Sequence, residues 1–361
     1  MSELRSLVTS VATVCIVFLS NSMLITINYG GEFSVIEHKR YAFFSDAMNV
    51  IENDNSMSAI AIGSSMMFNA VNGNCMQNNS NQDIKFYNLG IQASTPYADL
   101  PNIDKIKNSN VEVVMIELAP RSLGLVSKHA KADDYIQLRF EASTMFQNGQ
   151  QEPEWIEIIL PEHRKWINVN DFQRTNELQK YTLEGIEYQL QEQLLDDEYQ
   201  EYLAIIPNID HVDYVDYLKF PEISLTKHSK IESMSMGELE EFNESIISKD
   251  VPTYYPHPSN TRNHMALEYM IDSLIESNKK VVIITMPHYG TIYDALDENQ
   301  WEGFNQTLDN LSSKNLFIIN LTFDRTWTER HFADQIHLDW DGREYFCERV
   351  SPVIDEILSE R

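Results

Sequence analysis

Five short apolar runs stand out along the chain, at 57–63 (MSAIAIG), 85–90 (KFYNLG), 111–118 (VEVVMIEL), 279–286 (KKVVIITM) and 315–322 (NLFIINLT). Each is rich in β-branched or aromatic residues and nearly continuous rather than alternating, the pattern of a parallel strand covered on both faces. Between them apolar positions recur at helical spacing: YADLPNIDKIKN follows the second run, NHMALEYMIDSLIESNKK precedes the fourth and ENQWEGFNQTLDNLSSKN precedes the fifth. Strands alternating with helices through right-handed crossovers predict an α/β fold, a three-layer αβα sandwich around a five-stranded parallel doubly wound sheet.

Two segments depart from this alternation. Residues 6–31 carry no charge and exceed the roughly 20 residues needed to cross a hydrocarbon core. Arg5 precedes them and Glu32 is the first charge after them, which predicts a transmembrane helix over 1–31 with a cytoplasmic N-terminus and an exported remainder. Its Ser, Thr and Asn content leaves a cleaved signal peptide, and hence a secreted protein, as the competing reading. The second segment, 125–255, is polar and acidic, with helix-like stretches such as LEGIEYQLQEQLLDDEYQEYLAII. It reads as a helical insertion that divides the α/β domain into 32–124 and 256–361. An insertion after a strand's carboxyl end would lie over the crevice where open α/β sheets bind ligands, as a lid, a substrate platform or a partner surface; a plain surface extension is the alternative.

Charge narrows the partners. With 27 Lys and Arg against 55 Asp and Glu the formal net charge is -28, a field that repels nucleic acid phosphates and anionic lipid surfaces. Of the three cysteines, Cys15 lies in the membrane candidate, leaving Cys75 and Cys347. These could pair in an exported protein, although two free buried thiols are the default expectation. No Cys-x-x-Cys or Cys/His spacing suggests a structural metal, and neither metal nor cofactor is predicted.

The candidate chemistry lies at two places. The first run ends at Ile62-Gly63-Ser64-Ser65, which sets two hydroxyls at the carboxyl edge of the sheet beside the N–H groups of the next helix, a partial oxyanion site. The plainer reading is a strand-ending glycine and a helix-capping serine. The spacing is not the Gly-x-Ser-x-Gly of the α/β-hydrolase elbow. After the fifth run, FADQIHLDWDG places Asp334 three residues before His337. A serine nucleophile needs a base, and the base needs an acceptor on its other nitrogen to fix its tautomer; Ser, His and Asp supply that set.

With Gly-Ser-Ser after the first strand and Asp-x-x-His after the fifth, the chain resembles the SGNH (GDSL-like) hydrolase superfamily over about 57–124 and 258–357. The resemblance implies Ser65 as nucleophile, His337 as base and Asp334 as its orienting acid. Gly90, in FYNLGIQAST, matches the glycine whose N–H faces the oxyanion. Where the superfamily has Gly-x-Asn-Asp after its third strand this chain reads IELAPRSLG, so the side-chain amide donor is missing. Losing one such donor costs roughly 3–4 kcal/mol of transition-state stabilisation; Arg121 and Ser122 stand nearby, and the resemblance implies an oxyanion held by the N–H groups of Ser65 and Gly90 with help from Arg121. Ser64, Ser122 and His288, the last in TMPHYG at the end of the fourth run, are candidate substrate contacts.

The form Gly-Ser-Ser, Glu-Leu-x-Pro-Arg and Phe-x-Asp-x-x-His-Leu is similar to membrane-anchored branches of the superfamily that act in teichoic acid D-alanylation and polysaccharide O-acetylation. The resemblance implies an extracytoplasmic esterase or O-acyltransferase working on acylated surface glycan or polymer, with a membrane-bound acyltransferase as a further partner. The alternative from another class is a non-catalytic glycan-binding or envelope scaffold protein, supported by the missing Asn block. A third reading, an intracellular lipid or thioester hydrolase, requires that 6–31 not insert.

Overall fold

The computed structural model describes residues 44, 47–54, 56–91, 94–123, 154–159, 231–254, 261–312 and 314–359. The expected membrane segment and most of the expected insertion lie outside the described residues. Among the described residues no helix is long and apolar enough to cross a membrane.

The five apolar runs form one five-stranded, all-parallel sheet: β1 (Met57–Ile62), β2 (Ile84–Asn88), β3 (Val113–Leu118), β4 (Lys280–Thr285) and β5 (Phe317–Asn320). Their spatial order is β2-β1-β3-β4-β5. Register is continuous through the centre, with Ala61 opposite both Asn88 and Met115, and Ile116 opposite both Ile62 and Ile283. All six residues of β3 are buried, as expected of a central strand with helices over both faces. The fifth strand is shorter than its apolar run, because the Leu316 N–H turns back to the Lys314 carbonyl and pairing with β4 begins only at Phe317.

The helices fall into two groups. After β1 come α1 (Ser65–Ala70) and α2 (Gly73–Asn79). The β2–β3 crossover holds α3 (Pro96–Asp99) and α4 (Ile103–Asn108). A capping box at Ser235 and Glu238 starts α5 (Met236–Ser245), within the expected insertion. Next come α6 (Arg262–Glu276), α7 (Gly290–Ala295), α8 (Glu298–Ser312) and the long α9 (Trp340–Ser359). One group has α9 against α1 and α2; the other has α6 against α3 and α4. The order β2-β1-β3-β4-β5 with such crossovers leaves β1 and β3 adjacent while their connections depart to opposite faces, so a crevice opens at their carboxyl ends.

Two described pieces of the insertion attach at different places. Trp155 is fully buried and donates its ring N–H to Asp104 of α4, while Arg262 of α6 donates to the Ile158 carbonyl. Residues 236–254 instead approach the carboxyl edge of the sheet: Thr291 of α7 donates to Asn243, the Phe242 ring packs tilted at 5.8 Å against that of Tyr289, and Gln335 donates to Asp250. The cysteine expectation is corrected here. Cys75 of α2 and Cys347 of α9 form a disulfide rather than two free thiols, because the packing of α2 on α9 brings the two sulfurs together across the helical layer.

Candidate active site

The site starts from a glycine. Gly63 follows β1 with φ +149°, a left-handed conformation that only glycine adopts freely, and a β-carbon there would lie 2.4 Å from Cβ of Glu117. The chain can therefore turn tightly from strand into helix. Ser64 is the N-cap of α1, its Oγ accepting the Met66 N–H at 3.2 Å, and Ser65 is the first helical residue. The two hydroxyls thus divide the work that the sequence left ambiguous: Ser64 provides the cap, while Ser65 faces His337.

Ser65 Oγ lies 2.8 Å from His337 Nε2, and His337 Nδ1 lies 2.7 Å from Asp334 Oδ2. Asp334 Oδ1 also accepts the N–H groups of Ile336 and His337, at 2.9 and 2.8 Å. Nδ1 carries the proton in the tautomer this network assigns, so Nε2 presents its lone pair to the Ser65 hydroxyl. Burial opposes ionisation of Asp334, but the hydrogen bond and charge of His337, with the two N–H groups, hold its carboxyl below the usual range. The loop closes on itself: Ala333 N–H donates to the His337 carbonyl at 2.8 Å, and the buried pair Phe332 and Leu338 forms an antiparallel bridge at its base. The sequence motif thus becomes a rigid arm anchored in the core.

Two buried polar side chains that sequence reasoning did not single out hold the other arm. Glu117 on β3 accepts the Ser64 N–H at 2.7 Å and the Met67 N–H at 3.1 Å on one oxygen, and the Ser64 hydroxyl at 2.7 Å on the other. Burial pushes this carboxyl above the usual range, against the pull of the Ser64 and Met67 donors and of His337. Asn88, at the end of β2, donates to the Phe68 and Val71 carbonyls at 2.9 Å each, and its oxygen accepts the Gly90 N–H at 3.0 Å. The short helix α1 is thereby gripped at both ends from neighbouring strands. The available signals were an acid inside the apolar run VVMIEL and the Asn-x-Gly spacing of Asn88 and Gly90.

The remaining candidates separate. The Gly90 N–H donates to Asn88 at 3.0 Å, and its lack of a β-carbon answers crowding, since one would come within 2.7 Å of the Phe68 nitrogen. The Ser64 hydroxyl is engaged within the fold, donating to Glu117 and accepting the Met66 N–H. Ser122 closes its own turn, donating to the Ala119 carbonyl at 2.7 Å and accepting the Ala119 N–H at 3.2 Å. Arg121 is exposed, and no carboxylate among the described residues pairs with it. Its charge reaches Tyr254 and His288. His288 is buried at the end of β4, donates from Nδ1 to the Met286 carbonyl at 3.0 Å, and stands 5.7 Å ring to ring from Tyr254. Burial first, then the charge of Arg121, depresses its titration to about 4 despite the Met286 bond, so its ring is neutral at pH 7.

Chemically, the arrangement joins a hydroxyl to a base of fixed tautomer, next to the first turn of a helix. Among the described residues no group of His, Cys, Asp and Glu has the geometry to hold a metal ion. Comparison with family models gives no match, and comparison with curated proteins gives none either.

Proposed function

We propose that this chain is an SGNH-like serine enzyme that acts on ester-linked acyl groups of a cell-surface glycan or lipid-linked polymer through an acyl-enzyme. The observation that carries this reading is the chain of short contacts from Ser65 Oγ to His337 Nε2 and from His337 Nδ1 to Asp334, at the carboxyl edge of a sheet ordered β2-β1-β3-β4-β5. Ser65 Oγ attacks the ester carbonyl as its proton passes to Nε2, and Asp334 stabilises the imidazolium that forms. The tetrahedral intermediate collapses, the leaving alkoxide takes the proton from Nε2, and the acyl group remains on Ser65. An acceptor hydroxyl, deprotonated by Nε2, then attacks that ester and releases Ser65. Water as acceptor makes the protein an esterase, and a sugar hydroxyl makes it an O-acyltransferase.

The Cys75–Cys347 disulfide supports an extracytoplasmic setting, since such bonds persist in oxidising compartments. With the uncharged segment 6–31 it favours a globular part held outside the cytoplasm by a single N-terminal membrane anchor. A membrane-bound acyltransferase that supplies activated acyl groups is the partner such an arrangement would serve.

A second reading is favoured by the oxyanion side. The Gly90 N–H is engaged by Asn88 and Ala119–Leu123 carries no side-chain amide, which suits a non-catalytic glycan-binding or scaffold protein. A fluorophosphonate probe decides between the two. The enzyme labels on Ser65, loses all labelling in Ser65→Ala and keeps it, more slowly, in Ser64→Ala. Folded wild-type protein that takes up no probe overturns the enzyme reading and leaves the scaffold.

A further inference from the structure

We propose that Glu117 is the positioning residue of the Ser65 turn, occupying the competing donors there so that the Ser65 N–H alone remains to meet a developing oxyanion. This rests on Ser65 being the nucleophile.

The first turn of a helix has N–H groups without helical partners, and at this turn each can be traced. Ser64 N–H and Met67 N–H go to Glu117, Met66 N–H goes to Ser64 Oγ, and Phe68 N–H goes to the Ser64 carbonyl at 3.0 Å. Ser65 N–H has no acceptor among the described residues. It belongs to the same residue as the Oγ that would attack the carbonyl carbon of an ester. With Gly90 engaged by Asn88, the free N–H of this turn among the described residues depends on how Glu117 disposes of the others.

Only an acid completes this pattern. The carboxylate accepts three donors, the Ser64 hydroxyl among them. Glutamine has a single acceptor oxygen; once that oxygen takes the two N–H groups, its NH₂ faces Ser64 Oγ and the Ser64 proton loses its acceptor. Cap and helix start would shift together, and Ser65 with them. The position is also costly for stability, since a buried acid is a poorer filler than a neutral residue of the same shape. The folded carboxyl titrates above its unfolded value, so its contribution to folding is full at low pH and is lost as pH rises through the folded value. A group retained at that cost points to function rather than packing. His337 adds a second reason: the acid lies in its electrostatic field and favours the imidazolium formed as Ser65 is deprotonated.

Glu117→Gln, Ser64→Ala and the double variant test this, each assayed for fluorophosphonate labelling rate, for kcat and KM on a short-chain p-nitrophenyl ester, and for Tm across pH. For Glu117→Gln the expected result is a labelling rate and kcat lower by about 10-fold to 100-fold with KM essentially unchanged. Its Tm equals or exceeds that of the wild type, with the gap widening as pH rises. In the double variant the losses do not multiply, because Glu117 acts through Ser64. Wild-type rates in Glu117→Gln, or losses that multiply, overturn the proposal. If the wild type never labels, the nucleophile reading falls, and amide hydrogen exchange at Ser64–Met67 decides the role of Glu117. Faster exchange in Glu117→Gln supports its hold on the turn, because charge-assisted bonds are the stronger ones; unchanged exchange overturns it.

Discussion

The turn carrying Ser65 and the loop carrying His337 meet across 2.8 Å, yet they are held in different ways. The serine arm is fixed from a distance, by Glu117 of β3 at one end of α1 and Asn88 of β2 at the other. The histidine arm is fixed from within, by Asp334 three residues away, by the Ala333–His337 backbone bond and by the Phe332–Leu338 bridge. Its acid is partly open to solvent, with 41% of the Asp334 side chain exposed, whereas Glu117 is 4% exposed. A self-contained loop can lose its acid without disturbing the core, and an arm held by the sheet cannot lose Asn88, whose three partners are buried backbone groups, so cheaply.

The largest effect should fall on the histidine arm, in activity alone. Asp334→Asn removes the acceptor that fixes the His337 tautomer, and ester turnover should drop by about 10³-fold to 10⁴-fold with the melting temperature nearly unchanged. A drop in Tm comparable to that of a core substitution would show that the loop is not self-contained. The serine arm should behave in the opposite way. Asn88→Ala strands the Phe68 and Val71 carbonyls and the Gly90 N–H, at about 3–5 kcal/mol for buried groups left unpaired. Calorimetry should find Tm lower by about 2–4 °C for each of those kcal/mol, and a melt matching the wild type would remove Asn88 from the account.

His288 belongs to neither arm and provides the smallest contrast. Because its folded titration is depressed to about 4 by burial, its contribution to stability is complete above the unfolded value near 6.5 and is lost as pH falls toward 4. That amounts to about 3 kcal/mol at most, from 1.36 kcal/mol per pH unit. His288→Asn keeps a donor for the Met286 carbonyl and should flatten urea-denaturation stability between pH 6.5 and 4 while leaving relative turnover on the pH plateau intact. An unaltered pH dependence would place the titration elsewhere.

The same contrast explains what could be read from the sequence. The five strands were legible because burial on both faces leaves near-continuous apolar runs, and Asp334 and His337 were legible because their contact is local. The Gly-Ser-Ser turn was legible as a place but not as an assignment: which serine caps α1 depends on where Glu117 reaches, a contact spanning more than 50 residues. The engagement of Gly90 was not legible for the reverse reason, since Asn88, only two residues back, accepts its N–H, a contact that motif spacing alone does not announce. The cysteine pairing could not be inferred while the packing of α2 on α9 was unknown.

That pairing also orders events in time. Cys75 lies just beyond the serine arm and Cys347 just beyond the histidine arm, 272 residues later. At synthesis rates of about 5–20 residues per second, the first cysteine waits roughly 15–50 s for its partner, and the covalent bond can close only after both arms have been made. A chain interrupted in between would carry Ser65 without its base and Cys75 as an unpaired thiol, a chemical mark by which an unfinished molecule differs from a finished one.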